Sequence, residues 1–355
     1  MNEELGVGIV GFGLAGRAFH APLVSSTHGL RMAGIVARSN AEEARAAFPG
    51  VRVVSDLSEL LPDESVRVVV VASPNGTHGR LAVEALEAGR DVVVDKPFAT
   101  SSAEADRVME VAAKRGRLVT VFQNRRWDGD FLTVKALLEK GTLGRLVLFE
   151  SHFDRFSPGL NRAKPWKEAA DASGGLLWDL GPHLVDQAVE LFGLPEMVFA
   201  DVRSERTGSA TDDAFDIWMK YGEARGGLRV LLRASMLAAK PGPRFLLRGE
   251  TATFTKFGLD PQEAALRAGA RPGGDGWGRE SEEHWGEIAS GAGGETDKVE
   301  TLPGNYPAFY ENLRDVLMGK AELAVTAAEA LRVTRLLELA RESSQRGVWL
   351  PVNNI

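Results

Sequence analysis

The sequence predicts an α/β chain in two parts: an N-terminal doubly wound parallel sheet at 1–125 and a C-terminal α+β domain with a mainly antiparallel sheet at 126–355. Three observations carry this. The 355 residues exceed the roughly 250 to 300 at which a single core stops growing. The first third alternates short Val/Ile-rich runs with segments of helical period, the pattern of a parallel sheet covered on both faces. Beyond Trp127 the runs lengthen, alternate apolar with polar residues and are joined by Gly-rich turns, as in an antiparallel sheet with one covered face.

In chain order, the first part offers strands at Leu5 to Val10, Leu30 to Ala37, Val51 to Val54, Val66 to Ala72, Asp91 to Val94 and Leu118 to Phe122. Asn40 with Glu43 three residues on reads as a capping box, and Gly89 stops a helix over Thr77 to Ala88. A helix over Phe131 to Lys140, closed by Gly141, opens the second part. Strand-like runs follow at Leu146 to Phe156, Val198 to Glu205, Ala214 to Tyr221 and Leu228 to Leu237. Residues 269–294 hold nine glycines and read as a mobile loop or a loose hairpin. Helices over Tyr306 to Met318 and Ala327 to Ser343 finish the pattern.

Composition removes whole classes of function. Without cysteine there is no disulfide scaffold, no Cys-ligated zinc, no iron–sulfur cluster and no thiol nucleophile. A net charge of -7, with 42 basic against 49 acidic residues, lacks the basic stripe that a nucleic-acid partner demands. The acidic Met1-Asn2-Glu3-Glu4 start does not resemble a secretory signal. The longest apolar stretch, Val66 to Ala72, is far shorter than the roughly 20 residues that cross a bilayer. The expectation is a cytoplasmic protein without a membrane span.

Gly11-Phe12-Gly13-Leu14-Ala15-Gly16 matches GxGxxG. With 39 glycines in the chain the string alone says little, but it directly follows the first strand and opens a helical stretch. Glycines there allow a tight turn and close approach of a pyrophosphate to backbone N–H groups. An NAD site places Asp or Glu about 20 residues further on, at the end of the second strand. Arg38 and Ser39 stand there instead and suit a 2′-phosphate, one by charge and bidentate geometry, the other as a hydroxyl donor. The expected cofactor is NADP(H), with NAD(H) as the lesser alternative. A solvated Arg38 and a helix-capping Ser39 fit the same letters.

Ligands of an open α/β sheet bind beyond the carboxyl ends of its strands. Those ends read Ser73-Pro74-Asn75-Gly76-Thr77-His78, Asp95-Lys96-Pro97 and Gln123-Asn124-Arg125-Arg126-Trp127. Lys96 can hydrogen-bond a substrate oxygen and favour its alkoxide, or simply balance Asp95 at the surface. In the second part Asp179 and His183 lie four apart ahead of an apolar-periodic helix. Pro182 suits a first turn, which puts Asp179 at or near the cap. The pair can face one cleft, a proton acceptor beside an orienting carboxylate; a capping Asp and a core His fit the spacing too. No third ligand at nearby spacing supports a metal.

GFGLAGRAFHAP, ASPNGTH, DKP and WDLGPHLVDQ, in that order, make the chain resemble the Gfo/Idh/MocA oxidoreductase family over essentially its full length. The resemblance implies a Rossmann domain followed by a domain built on a large open sheet. That second domain binds substrate and often forms the oligomer interface, so a homo-oligomer, dimer or tetramer, is expected. It further implies hydride transfer between a sugar or cyclitol carbon and nicotinamide C4. On this reading His183 takes the hydroxyl proton, Lys96 stabilises charge on oxygen and Asp179 positions the hydroxyl. Asp95 stands where the family usually has Glu, which leaves its contact open. Ser73, Pro74, Asn75, His78, Asp95, Lys96 and Gln123 join the glycine turn, Arg38 and Ser39 as cofactor-binding residues. Arg155 and Trp166, and Trp277 with them, are candidates for the substrate wall. Within the family, VVVDKPF, VFQNRRWDGDFLT and FESHFDRF are similar to the NADP-dependent scyllo-inositol dehydrogenase branch. A reductase of another keto-sugar or aldose would need the same three residues, whereas a nucleotide-sensing regulatory protein would need no proton acceptor.

Overall fold

The computed structural model describes residues 4–160, 174–291 and 294–353. The chain forms two compact units. One comprises Met1–Asn124, Gln262–Trp277 and Asn305–Leu331, the other Arg125–Pro261, Gly278–Gly304 and Arg332–Ile355. A linear division at 125/126 therefore leaves out two later segments that group with the first sheet.

The first unit holds six strands, β1 (Leu5–Val10), β2 (Leu30–Val36), β3 (Arg52–Val54), β4 (Val66–Val71), β5 (Asp91–Val94) and β6 (Val119–Val121). They form one parallel sheet in the order β3-β2-β1-β4-β5-β6, the doubly wound arrangement expected from the alternating pattern. Val68 to Val71 and Val92 to Val94 are wholly buried, which is why these strands read as unbroken apolar runs. Helices α1 (Ala21–Ser26), α2 (Ala41–Ala47), α3 (Leu57–Leu60), α4 (His78–Glu87) and α5 (Ser102–Arg115) connect them.

The expected capping box at Asn40 and Glu43 does not form. Asn40 makes no cap bond; its amide donates instead to the Phe12 carbonyl at 3.0 Å, and Glu43 pairs with Arg17. Tertiary partners, the Phe12 carbonyl for the Asn40 amide and Arg17 for Glu43, hold both side chains away from the box. The capping box lies at Asp56 and Glu59, at the start of α3.

In the second unit α6 (Gly129–Glu139) precedes β7 (Leu146–His152) and α7 (Leu176–Phe192). Then come β8 (Met197–Arg203), β9 (Ala214–Lys220), β10 (Arg229–Ser235), β11 (Phe245–Gly249), β12 (Ala252–Lys256), β13 (Gly286–Ser290), β14 (Glu295–Val299) and β15 (Leu350–Pro351). The nine-stranded sheet runs β14-β13-β12-β11-β7-β10-β9-β8-β15. Within this sheet only the β10–β7 pair is parallel among the described strands. Along β9, Phe215, Ile217 and Met219 are buried in one core with Leu180 and Leu184 of α7, while Asp216, Trp218 and Lys220 alternate away from it. This is the single covered face that the two-residue period predicts.

Five strands of this sheet, β11 to β15, fall outside the predicted runs. The Gly-rich stretch resolves into an irregular segment and the β13–β14 hairpin, which extends the sheet. Of the later helices, α8 (Gln262–Arg267) and α9 (Pro307–Leu317) belong to the first unit, and α10 (Ala327–Arg346) starts in it. No helix among the described residues is long and apolar enough to cross a membrane.

Candidate active site

At the end of β1 the chain turns on Gly11, whose φ of 101° favours glycine. A β-carbon there would run into the Ala72 carbonyl, and one on Gly16 would collide with the Gly11 carbonyl oxygen. Gly13, by contrast, is exposed with nothing within 4 Å of the space a β-carbon would fill. The three glycines thus have distinct duties: two allow backbone to meet backbone, and the third leaves room. Leu14 and Ala15 open the helical segment that follows, where the first N–H groups lack partners within the helix. An open glycine before a helix start fits a dinucleotide pyrophosphate, and the residues to hold it are Gly11, Gly13, Leu14, Ala15 and Gly16. The Phe12 ring is buried edge-on against Phe48 at 6.1 Å, so Phe12 offers backbone alone.

Arg38 and Ser39 are exposed just past β2. The Arg38 guanidinium donates to Asp56 Oδ2 at 3.1 Å and to the Ser55 carbonyl at 3.3 Å. Hydrogen bonds from Ser58, and then from Arg38, hold the Asp56 carboxyl below its ordinary range.

The loops after β4 and β5 are tied together by His78. Its ring is wholly buried, with Nδ1 2.8 Å from the Pro97 carbonyl and Nε2 2.9 Å from the Ser73 carbonyl. Each ring nitrogen abuts a main-chain carbonyl, and whichever carries the proton donates to one of them, so His78 ties the loops together and turns neither nitrogen toward a cofactor. The Lys96–Pro97 bond is cis. Asp95 turns back on its own loop, where its Oδ1 accepts the Lys96 N–H at 2.8 Å. Ser73, Asn75 and Lys96 stay partly accessible and Pro74 is exposed. Gln123 is buried, and its Oε1 has no partner among the described residues. The ends of β1, β4 and β5, which neighbour one another in the sheet, thereby bring together the glycine turn, Ser73 to Asn75 and Asp95 to Lys96.

In the second unit, Asp179 and Pro182 do not sit where their types suggest. Helix α7 starts earlier, at Leu176, with Gly175 as its cap at φ 93°. Asp212 does the capping from a distance: its Oδ2 accepts the Leu177 N–H at 2.7 Å and its backbone carbonyl the Leu176 N–H at 2.9 Å. Asp179 therefore lies inside the first turn and Pro182 and His183 in the second. Having no N–H, Pro182 cannot bond back to Trp178, a loss the helix tolerates because its core face is packed.

The four-residue spacing still puts Asp179 and His183 on one face. His183 is 5 % exposed and its ring lies parallel to Phe153 at 6.5 Å. Arg155 Nη1 is 3.7 Å from Asp179 Oδ2. Phe153 is the shared wall, faced by the guanidiniums of Arg125 at 4.7 Å, Arg155 at 5.2 Å and Arg244 at 5.6 Å. Residue type alone does not mark Phe153 as part of a site, although Phe149, Ser151 and Phe153 share the buried side of the run at a period of two. Trp166 lies outside the described residues. Trp277, in the first unit, spends its indole N–H on Gln262 at 2.9 Å. Among the described residues no group of three or more His, Asp or Glu is placed to hold a metal.

Residues 5–123 match the family model described as "Oxidoreductase family, NAD-binding Rossmann fold", named GFO_IDH_MocA, and residues 135–352 match that family's "C-terminal alpha/beta domain". The chain is 40% identical over 350 residues to the uncharacterized oxidoreductase YdgJ of Escherichia coli K12, covering 99% of each. It is 35% identical over 346 residues to scyllo-inositol 2-dehydrogenase (NADP(+)) IolW of Bacillus subtilis 168, covering 97% of this chain and 94% of the other. Among solved structures, yvaA of Bacillus subtilis superposes with a TM-score of 0.94 at 33% identity, covering 99% of both.

The distant cap yields a prediction. Burial raises the Asp212 carboxyl above its ordinary 3.8, against the Leu177 N–H bond and the Arg341 charge that favour ionisation. A carboxyl raised in the folded state contributes most below its unfolded value, and that part is lost as pH rises through the folded value. Asp212→Asn, which keeps an acceptor without titrating, should therefore gain on the parent protein as pH rises above 3.8. Asp212→Ala should lower stability by about 1 to 2 kcal/mol through loss of the cap. Urea denaturation at several pH values reads both; identical pH slopes for parent and Asn variant would remove the assignment.

Proposed function

The chain belongs to the Gfo/Idh/MocA oxidoreductase family, and from that premise we propose an NADP-preferring dehydrogenase or reductase acting on a ring hydroxyl of a cyclitol, scyllo-inositol or the corresponding inosose. The observation that carries the reading is the pairing of His183 with Asp179 on one face of α7, beside Phe153 and Arg155. The activity for which the Bacillus relative is named, scyllo-inositol 2-dehydrogenase (NADP(+)), supports the substrate class and the NADP preference.

When bound, the nicotinamide ring supplies a hydride acceptor at C4. His183 takes the proton of the substrate hydroxyl, which leaves the electron pair of the O–H bond to form the carbonyl as the carbon's hydride departs. Asp179, partly exposed and next to Arg155, holds the hydroxyl so that its proton points at the imidazole. Lys96 donates to the same oxygen and stabilises the charge that develops on it. In the reverse direction His183 returns the proton. Arg155 supplies a guanidinium for further hydroxyls of a polyol, and Arg38 with Ser39 receives the 2′-phosphate. The protein works in the cytoplasm as a homo-oligomer. The sheet face away from α7, where Phe199 lies opposite Trp218 and 5.6 Å from Trp349, supports an assembly of two or four chains.

Nicotinamide absorbance with NADP+ and NAD+ in parallel, against scyllo-inositol, myo-inositol, glucose and xylose, tests the reading. Turnover of scyllo-inositol with NADP+ is expected. Silence across the panel with NADPH still bound would move the assignment to another keto-sugar or aldose reductase, or to a nucleotide sensor. In the same assay His183→Ala should lose roughly 100-fold or more in kcat while binding NADPH as before; an unimpaired variant would strip His183 of its role.

Arg38→Ala should lose most of the preference for NADPH over NADH, read as the ratio of the two dissociation constants. A ratio that stays put would show that Arg38 does not meet the phosphate.

A further inference from the structure

The residue that closes the helical turn after the glycines, His20, has no part in the scheme above, yet it is built into the site with unusual care. Residues Ala15–His20 form a π-helical turn in which the Ala21 N–H reaches back to the Gly16 carbonyl. Such widened turns are rare and gather at functional sites. His20 is wholly buried. Its Nδ1 lies 2.6 Å from the Tyr310 hydroxyl of α9 and its Nε2 3.8 Å from Asp95 Oδ1, the same oxygen that accepts the Lys96 N–H at 2.8 Å. Phe122 packs on the imidazole at 4.4 Å and Phe309 on the Tyr310 ring at 5.2 Å. Aromatic walls thus surround the His20–Tyr310 pair.

We propose that Tyr310 and His20 are positioning residues that orient the Asp95 carboxylate and, through it, the Lys96 loop. The proposal rests on the reading of Lys96 given under the proposed function. A neutral imidazole carries one proton, so the two ring nitrogens cannot both donate. If Nδ1–H donated to the phenol oxygen, the bare Nε2 lone pair would face a carboxylate. If the phenol donates to Nδ1, the Nε2–H is the group that faces Asp95 Oδ1, at 3.8 Å outside hydrogen-bond reach but close enough for its dipole to favour the anion. The second arrangement wins on electrostatics, since a lone pair against a buried anion has no compensation.

The surroundings agree. Burial, and then the negative charge of Asp95, push the Tyr310 phenol well above its ordinary value, so it remains a donor. Burial resists ionisation of Asp95, but His20, followed by Lys96 and His78, outweighs it and holds that carboxyl below its ordinary value. An aligned Tyr310, His20 and Asp95 therefore present a fixed anion to the Lys96 N–H. Since His78 pins the same loop at Pro97, the backbone that carries the Lys96 side chain is held from two sides.

Two readouts test this. Nitrogen NMR of the imidazoles in the full-length protein should show His20 as the Nε2–H tautomer with Nδ1 accepting. The opposite tautomer in the parent protein would overturn the proposal. Tyr310→Phe, which keeps the ring in its aromatic box, should perturb that signal and lower kcat with scyllo-inositol and NADP+ by about ten- to a hundredfold. The KM for NADP+ should not move. Placed in a Lys96→Ala background, Tyr310→Phe should add no further loss. A full additive loss there would mean that it acts elsewhere, and would also overturn the proposal. If Tyr310→Phe lowers the thermal midpoint strongly, His20→Gln takes its place in the cycle. If Lys96→Ala alone retains full activity, or no turnover is found, the reading of Lys96 or of the substrate fails, and the tautomer still decides whether the chain is aligned.

Discussion

The nucleotide end of the first unit depends on a contact that contains no side chain: the backbone at Gly16 lies against the Gly11 carbonyl, where any β-carbon would collide. That approach brings the helical segment down onto the end of β1, and the bond from Ala21 N–H to the Gly16 carbonyl absorbs the extra residue of the turn. His20 consequently points inward to Tyr310 and Asp95 instead of outward to water. Asn40 ties the next loop to the same turn through the Phe12 carbonyl. A single steric allowance at Gly16 thus sets the room for a phosphate, the direction of a buried imidazole and the seat of the β2–α2 connection. The order matters physically, because buried polar groups this far from water are stable only when their partners are already in place.

The second unit solves a different problem, that of holding cations in a dry interior. Arg125, Arg126, Arg206 and Arg244 are each at most 7% exposed. Each has an acidic partner: Asp128 at 3.1 Å, Asp186 at 2.8 Å, Asp213 at 2.9 Å and Asp130 at 3.5 Å, respectively. Desolvating such pairs cancels much of their attraction, whereas removing one partner typically costs about 3 to 5 kcal/mol. They are therefore better understood as fixing geometry than as adding stability. Arg126 grips Asp186 with two nitrogens at 2.8 Å, and Gln187 donates to the Arg125 carbonyl at 2.8 Å while accepting from Arg244 at 2.7 Å. Asp186 and Gln187 sit on the turn of α7 just after His183, so these bonds lock the helix that carries Asp179 and His183. Phe153 completes the arrangement, with the His183 ring and three guanidiniums disposed around it.

What was legible in the sequence follows from how local each signal is. Strands β1, β4 and β5 were readable because burial on both faces makes them near-continuous runs of Val and Ile, and β8 and β9 because one covered face imposes alternation. β14, with Glu295 to Lys298 all exposed, carries no such pattern and exists through pairing with β13. The glycine turn, Lys96, Asp179 and His183 stood out by residue type at strand ends and a helix start. Their supports did not, because Asp212 caps α7 from 35 residues away and Tyr310 meets His20 across 290. Asn40 and Asp56 show the same limit from the other side. Both begin helices with Glu three residues on, and only tertiary competition for Asn40 decides which box forms.

That dependence on distant partners bears on how sharply the ribose end can discriminate between cofactors. The Arg38 guanidinium is 77% exposed and already paired with Asp56, whose carboxylate is itself held by Ser58 at 3.1 Å and 2.9 Å. Asp56 is thus the fixed member of the pair and Arg38 the movable one. A 2′-phosphate entering here meets an attractive guanidinium and a repulsive carboxylate within a few ångströms of each other, and the net effect is a difference between two opposed Coulomb energies. Salt screens both, since both face solvent. With a 2′-hydroxyl in place of the phosphate, Arg38 keeps Asp56 and little is lost. Discrimination built from one swinging cation against one anchored anion is graded, so the NADP preference proposed above would disfavour NAD(H) without shutting it out.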